Sequence, residues 1–207
     1  ATYKGKKSCN LSTVATTSFF PSKPLGCYGD GGAIFTNDDD LAAKMRVVVN
    51  HGMTVRYYHD EIGVNSRLDS IQAAVLDIKL KHLDEYSQAR LDAANFYNNA
   101  FKKTDKIIAP ATADFTTHVF HQYTMVLVDV DRDGLMKHLA DKGIASAVYY
   151  PVPLHMQKAY LDPRYKEGDF PVTEKLSKTV MSLPVHTELT PEILKEITDA
   201  VLEYVEK

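Results

Sequence analysis

The chain has 207 residues, 44% of them hydrophobic and 25% charged, with a formal net charge of −3. That length suits one large domain or two small ones, and the composition is that of a soluble globular chain. The negative balance argues against a phosphate-backbone binder, and no apolar run approaches the ~20 residues of a membrane span, so neither a nucleic-acid nor a membrane partner is expected.

In chain order, "ATYKGKKSCN" has no initiator Met and no start-of-domain signal, and reads as a loop already inside a protein. The expectation is therefore the C-terminal piece of a chain of roughly doubled length. Cys9 and Cys27 fit no metal spacing, and two thiols with no signal peptide point to a reducing, cytoplasmic setting. "LSTVATTSFF" is rich in β-branched and aromatic residues and predicts extended structure, followed by a short buried strand, Ala33 to Thr36. A helix follows, capped by Asn37 or Asp38, favoured by Asp39 and Asp40 in its first turn, and ended just before Gly52. Residues 53–66 read as a loop. Near-helical apolar spacing from Leu68 through Ile71, Val75, Ile78, Leu83, Tyr86, Ala93 and Phe96 predicts one helix to about Phe101, on the order of 50 Å long and joining two domains.

Beyond residue 102, "HQYTMVLVDV" predicts a strand, "RDGLMKHLADKG" a helix ending at Gly143, and "IASAVYYP" a strand stopped by Pro151. "TEKLSKTVMSLPV" predicts a helix running into a loop at Pro184. The last helix has Thr190 as N-cap, Pro191 at its first position and Ile193 as its first core residue. Strand, helix, strand and further helices read as a small α/β layer domain. His118 and His121 would face opposite sides of a strand, which argues against a metal pair.

"SFFPSKPLGCYGDGG", Ser18 to Gly32, fences one lysine between Pro21 and Pro24 and follows it with a glycine cluster. No G-x-x-x-x-G-K-[ST] occurs, and Ile34 stands where a dinucleotide fingerprint needs its last glycine, so both nucleotide loops fail. What remains is a lysine on a proline-stiffened loop beside aromatics. Lost solvation there would favour the free amine that Schiff-base chemistry needs. A surface lysine in a hairpin loop is the competing reading.

The segment resembles the cofactor-lysine region of the DegT/StrS-type sugar aminotransferases. The likeness continues through "HDEIGVNSRLDSIQAAVL", "YYPVPLHMQKAY" and "MSLPVHTELT" in the family's order. The resemblance implies an α/β PLP-dependent transferase of fold type I, aspartate-aminotransferase-like. Residues 1–85 would be the C-terminal part of the large PLP-binding domain and 86–207 the small C-terminal domain, joined by the 68–101 helix.

It further implies pyridoxal 5′-phosphate (PLP) as cofactor. Lys23 matches the covalent anchor and general acid/base, and Ser18 a hydroxyl on the phosphate. Asn65 matches an asparagine reaching the phosphate of the partner subunit's PLP, and Arg67 a residue near the sugar in that shared site, so a homodimer is implied. Tyr149 and Tyr150 match a His-Tyr pair that contacts substrate, with Tyr149 in place of the histidine.

Other readings stay open: Ser18 as a turn residue, Ser66 capping a helix opened by Asn65 and Arg67, and the two tyrosines as core packing. The implied reaction is transamination of a nucleotide-linked keto sugar with L-glutamate as donor. A UDP-2-acetamido-3-keto-hexuronic acid for surface polysaccharide is favoured, and a dTDP-keto-6-deoxyhexose is the alternative. A non-catalytic binding or regulatory module is the reading of another class. The carboxylate for the pyridine nitrogen and the stacking ring are not recognisable in residues 1–17.

Overall fold

The computed structural model, which describes residues 1–207, separates into two units: Ala1–Ser87 with Thr112–Val119, and Gln88–Ala111 with Phe120–Lys207. In the first unit, Ala15–Ser18 pairs antiparallel with Gly32–Phe35, with Ser18 opposite Gly32. A second small sheet joins Thr2–Tyr3 to Lys6–Lys7 and Thr116–Thr117.

Helix α1 (Asp39–Val49) starts where the acidic run predicts: Asp38 Oδ1 accepts the Leu41 N–H at 2.9 Å. Asn37, the other capping candidate, instead donates to Asn10 Oδ1. The helix ends with His51 and Gly52 both at positive φ, +61° and +72°, and Gly52 N–H donates to Val47 O at 2.8 Å, the 6→1 bond of a Schellman-type closure.

The 53–66 loop contains a hairpin, Met53–Val55 with Tyr58–His59. The single helix expected over 68–101 is two, α2 (Ser70–Leu80) and α3 (Leu83–Phe101). No proline or glycine marks the break. The bonding tightens there instead, Lys81 N–H donating to Ile78 O and His82 N–H to Lys79 O, three residues back rather than four.

The core of the second unit is built on the sheet Val180–Leu183, Tyr123–Leu127, Ile107–Ile108, antiparallel throughout. Tyr123–Leu127 alternates buried and half-buried residues, whereas Val180–Leu183 is buried at all four positions. The helix predicted from Thr173 up to a loop at Pro184 is a short helix, α5 (Pro171–Thr179), followed at once by a strand. The strand predicted over 144–151 reduces to one bridge, Ala147 with Ser182.

α4 (Arg132–Asp141) closes with Gly143 at φ +77°, Gly143 N–H on Ala140 O and Ile144 N–H on Leu139 O. α6 (Pro191–Val205) is capped by Thr190 as expected, but Ile193 is 41% exposed and Leu194 is the first core residue. The Tyr97 and Tyr123 rings pack tilted by 49° with centroids 4.8 Å apart in this core, and burial raises both phenols well above their usual range. Their hydroxyls donate to Pro184 O and Asn98 Oδ1. Buried Arg90 donates to the carbonyls of Phe120, His121 and Val185.

Candidate active site

Lys23 sits in the connection between the paired strands Ala15–Ser18 and Gly32–Phe35, half-buried. Its N–H donates to Phe20 O at 2.9 Å, closing a β-turn with Pro21 in the second position, where a fixed φ suits the turn. The base of the connection is zipped by Phe19 N–H on Gly31 O at 2.7 Å and Cys27 N–H on Phe19 O at 2.8 Å. Glycine is required at 26, since a Cβ there would meet Pro21 O at 2.6 Å and Phe20 O at 2.8 Å.

Ser18, exposed at the strand end, accepts the Phe20 N–H at 3.2 Å on its hydroxyl oxygen, which leaves the O–H proton to donate. Ser18 thus has the turn role of the bland reading and retains a donor besides.

Asn65 and Arg67 lie together on an exposed segment, Arg67 Nε donating to Asn65 Oδ1 at 2.9 Å. That segment is tied to the end of α1 by Val64 N–H on Val48 O, Ser66 N–H on Val49 O and the bridge between Asn50 and Asn65. Ser66 caps nothing: α2 begins at Ser70 after Asp69, so the helix-opening reading of Asn65 and Arg67 does not hold. Directly after Arg67 the chain meets the lysine connection, for a Cβ on Gly31 would lie 3.0 Å from Leu68 Cδ1.

Tyr149 and Tyr150 belong to the second unit. They are 42% and 72% exposed, so core packing does not account for them. Their rings stand edge to face at 5.6 Å on the wall of a groove of about 740 Å³ that Leu154, His155, Phe170 and Leu176 also line.

Two sets of residues escaped the sequence reading. Gln72 and Lys79 reach from α2 to the lysine connection: Tyr28 N–H donates to Gln72 Oε1 at 2.8 Å and Lys79 Nζ to Gly26 O at 2.8 Å. Their spacing of seven, with Leu76 between them, places them on one helix face and was a readable signal. His155 and Glu174, bonded at 3.0 Å, stand nineteen residues apart with no signal joining them.

A family model described as the DegT/DnrJ/EryC1/StrS aminotransferase family matches residues 1–202. The chain is 48% identical over 201 residues to the UDP-2-acetamido-2-deoxy-3-oxo-D-glucuronate aminotransferase of Pseudomonas aeruginosa, covering 97% of this chain and 54% of that one. It is 45% identical over 206 residues to a protein of Geobacillus stearothermophilus named pleiotropic regulatory protein, covering 99% of this chain and 55% of that one.

Among solved structures it is similar to DesV of S. venezuelae in complex with a ketimine intermediate, with TM-score 0.94 and 40% identity over 99% of this chain and 55% of that one. The chain thus spans about half the length of the curated relatives it matches. Its fold is the α/β PLP-dependent transferase fold type I. The chain belongs to the DegT/DnrJ/EryC1/StrS aminotransferase family.

Proposed function

We propose that the whole protein is a PLP-dependent aminotransferase that places an amino group on a nucleotide-linked keto sugar, with L-glutamate as donor. The observation that carries this is Lys23 itself: a half-buried lysine at the end of a proline-led turn, five residues from a strand-end hydroxyl with a proton to give. The donor set fits the cofactor, which needs a primary amine for its aldehyde and hydrogen-bond donors for its phosphate. When bound, PLP supplies that aldehyde and an electron sink.

Lys23 Nζ would hold the cofactor, and once displaced by the donor would take the proton from the donor's α-carbon. The Ser18 hydroxyl would donate to the phosphate. Asn65 would reach the phosphate held by a second copy, making the protein a homodimer with shared sites. Arg67 spends Nε on Asn65, which leaves its terminal nitrogens for a carboxylate on the sugar. Tyr149 and Tyr150 would contact the same substrate. The first unit would be the end of the large PLP-binding domain and the second the small domain. The cofactor's carboxylate and stacking ring would come from a preceding segment.

Tyr57, Tyr58, Ile62 and Ile71 are all at least 70% exposed in the first unit, which supports a face covered by a second copy. No helix is long and apolar enough to cross a membrane; a cytoplasmic enzyme of polysaccharide biosynthesis is the reading.

The favoured acceptor is a UDP-2-acetamido-3-keto-hexuronic acid. The name of the Pseudomonas aeruginosa relative and the free edge of Arg67 support it. The test uses full-length protein with PLP. Wild type should show the near-visible absorbance of lysine-bound cofactor and lose it on adding L-glutamate, and Lys23→Ala should do neither. If the two behave alike, the non-catalytic reading suggested by the name of the Geobacillus relative takes over. A keto-sugar screen then places the acceptor. Arg67→Lys should raise KM for the uronic acid roughly tenfold, by loss of the bidentate fork, and leave KM for a neutral dTDP-keto-6-deoxyhexose unchanged.

A further inference from the structure

Helix α2 is not a bystander to the lysine connection. Its inward stripe runs Gln72, Val75, Leu76, Lys79, at i, i+3, i+4 and i+7; two of those four side chains are polar, and one polar atom of each bonds backbone within residues 26–29. Lys79 Nζ donates to the carbonyl of buried Gly26 and lies 5.0 Å over the ring of Tyr28. Gln72 Oε1 accepts the Tyr28 N–H, and its Nε2 would sit 3.2 Å from a Cβ on Gly29.

The consequence for Lys23 passes through backbone. Gly26 is packed against the carbonyls of Phe20 and Pro21, so closely that no Cβ fits between. The Phe20 carbonyl in turn accepts the Lys23 N–H and defines the turn on which Lys23 stands. Between Lys79 Nζ and the Lys23 backbone there are two hydrogen bonds and one van der Waals contact. Pro21 and Pro24 stiffen the turn internally, but stiffness does not orient it. Orientation comes from what residues 26–29 are tied to, and that is α2. The Cys27 N–H bond to Phe19 O holds only the neck.

We propose that Gln72 and Lys79 are positioning residues for Lys23, fixing the direction in which its amine meets the cofactor aldehyde. This rests on the reading of Lys23 as the cofactor anchor. The pairing also explains a lysine and a glutamine on an inward helix face. Lys79 Nζ and Gln72 Oε1 each bond a backbone group that the 26–29 bend leaves without a strand partner.

The test uses the full-length protein, freed of cofactor and titrated with PLP. Three quantities are read: the dissociation constant from near-visible absorbance, the pH midpoint of that absorbance, and the thermal midpoint of the cofactor-free protein. Gln72→Leu and Lys79→Met should each weaken PLP binding about tenfold, the scale of one lost partly buried hydrogen bond. Each should also move the pH midpoint of the lysine-bound band. Gln72→Glu keeps an acceptor for Tyr28 N–H and should bind within about twofold of wild type. Asp77→Ala, on the outer face of α2, should match wild type.

A fall in thermal midpoint with unchanged PLP affinity and pH midpoint would make the two residues merely structural and overturn the proposal. So would equal loss in Gln72→Leu and Gln72→Glu. Should Lys79→Met not fold, the two Gln72 variants decide alone. Lys23→Ala separates the two levels: if it keeps the absorbance, the anchor reading fails. If it loses the absorbance while the α2 variants bind normally, only the positioning role fails.

Discussion

Glu174 shows how one carboxylate can organise a loop. Burial alone would push its carboxyl up, but the N–H groups of Gly168 and Phe170 and the ring of His155 outweigh burial and hold it below the usual carboxylate range. Phe170 packs on His155 at 4.8 Å, so the Leu154–Met156 turn and the start of α5 are held as one wall of the Tyr149–Tyr150 groove. A carboxyl depressed by folding contributes stability above its unfolded value of about 4.3, and that contribution is lost as pH falls through the folded value. Glu174→Gln should therefore lower the thermal midpoint by several degrees at pH 7. The gap to wild type should close as pH falls below about 4. Calorimetry at pH 7, 5 and 3 checks this; a gap that is constant with pH would assign the effect to packing alone. At this scale the lysine turn was legible, because proline and glycine state their own backbone requirements. Glu174 was not, because its three partners come from two separate loops and nothing local distinguishes it from a solvated glutamate.

At the scale of elements, the segment bearing Asn65 is placed by two glycines that cross. A Cβ on Gly63 would run into Gly52 N, with His51 C and Val48 O each at 2.6 Å, and a Cβ on Gly52 would strike Glu61 O. These neighbours are backbone, at the closing turn of α1 on one side and at Glu61 on the other, so neither side can yield as a flexible side chain would. Gly63→Ala should cost about 2 kcal/mol or more, as overpacking does. It should also lower PLP affinity of the full-length protein, because Asn65 moves with the segment. Denaturant unfolding and PLP titration measure the two effects; loss of stability with full affinity would show that the segment re-seats itself.

The elements divide by what determines them. Caps at Asp38 and Thr190 and the stop at Gly143 were readable, since each is a local hydrogen bond at a helix end. The break at Lys81–His82 was not, since the apolar spacing continues through it. Nor was the Val180–Leu183 strand, whose "VMSL" is a short buried run without alternation and is made a strand by pairing with Tyr123–Leu127.

Across the whole chain, burial is unequal between the units. The apolar core, from Ala93 to Val205, lies entirely in the second unit. In the first unit only Cys27 and Leu76 are buried apolar residues, while Ile62 is 97% and Tyr28 77% exposed. The unit that carries Lys23, Ser18, Asn65 and Arg67 is therefore held by hydrogen-bonded turns and glycine contacts rather than by an apolar interior. Such a unit opens at lower free energy than one with a packed core. The amides of Tyr123–Leu127, Val180–Leu183 and α6 should exchange roughly a hundredfold more slowly than those of Ala15–Ser18 and Gly32–Phe35 in the 207-residue polypeptide, a gap of about 3 kcal/mol. Under the proposed function the gap should narrow in the full-length protein with PLP, because the exposed apolar side chains of the first unit would then be covered and the lysine turn tethered. Hydrogen exchange followed by mass spectrometry on both forms reads this directly. Equal protection of the two units in the 207-residue polypeptide would mean that turns and glycine packing alone hold the lysine connection. The cofactor and a second copy would then be needed for chemistry but not for order.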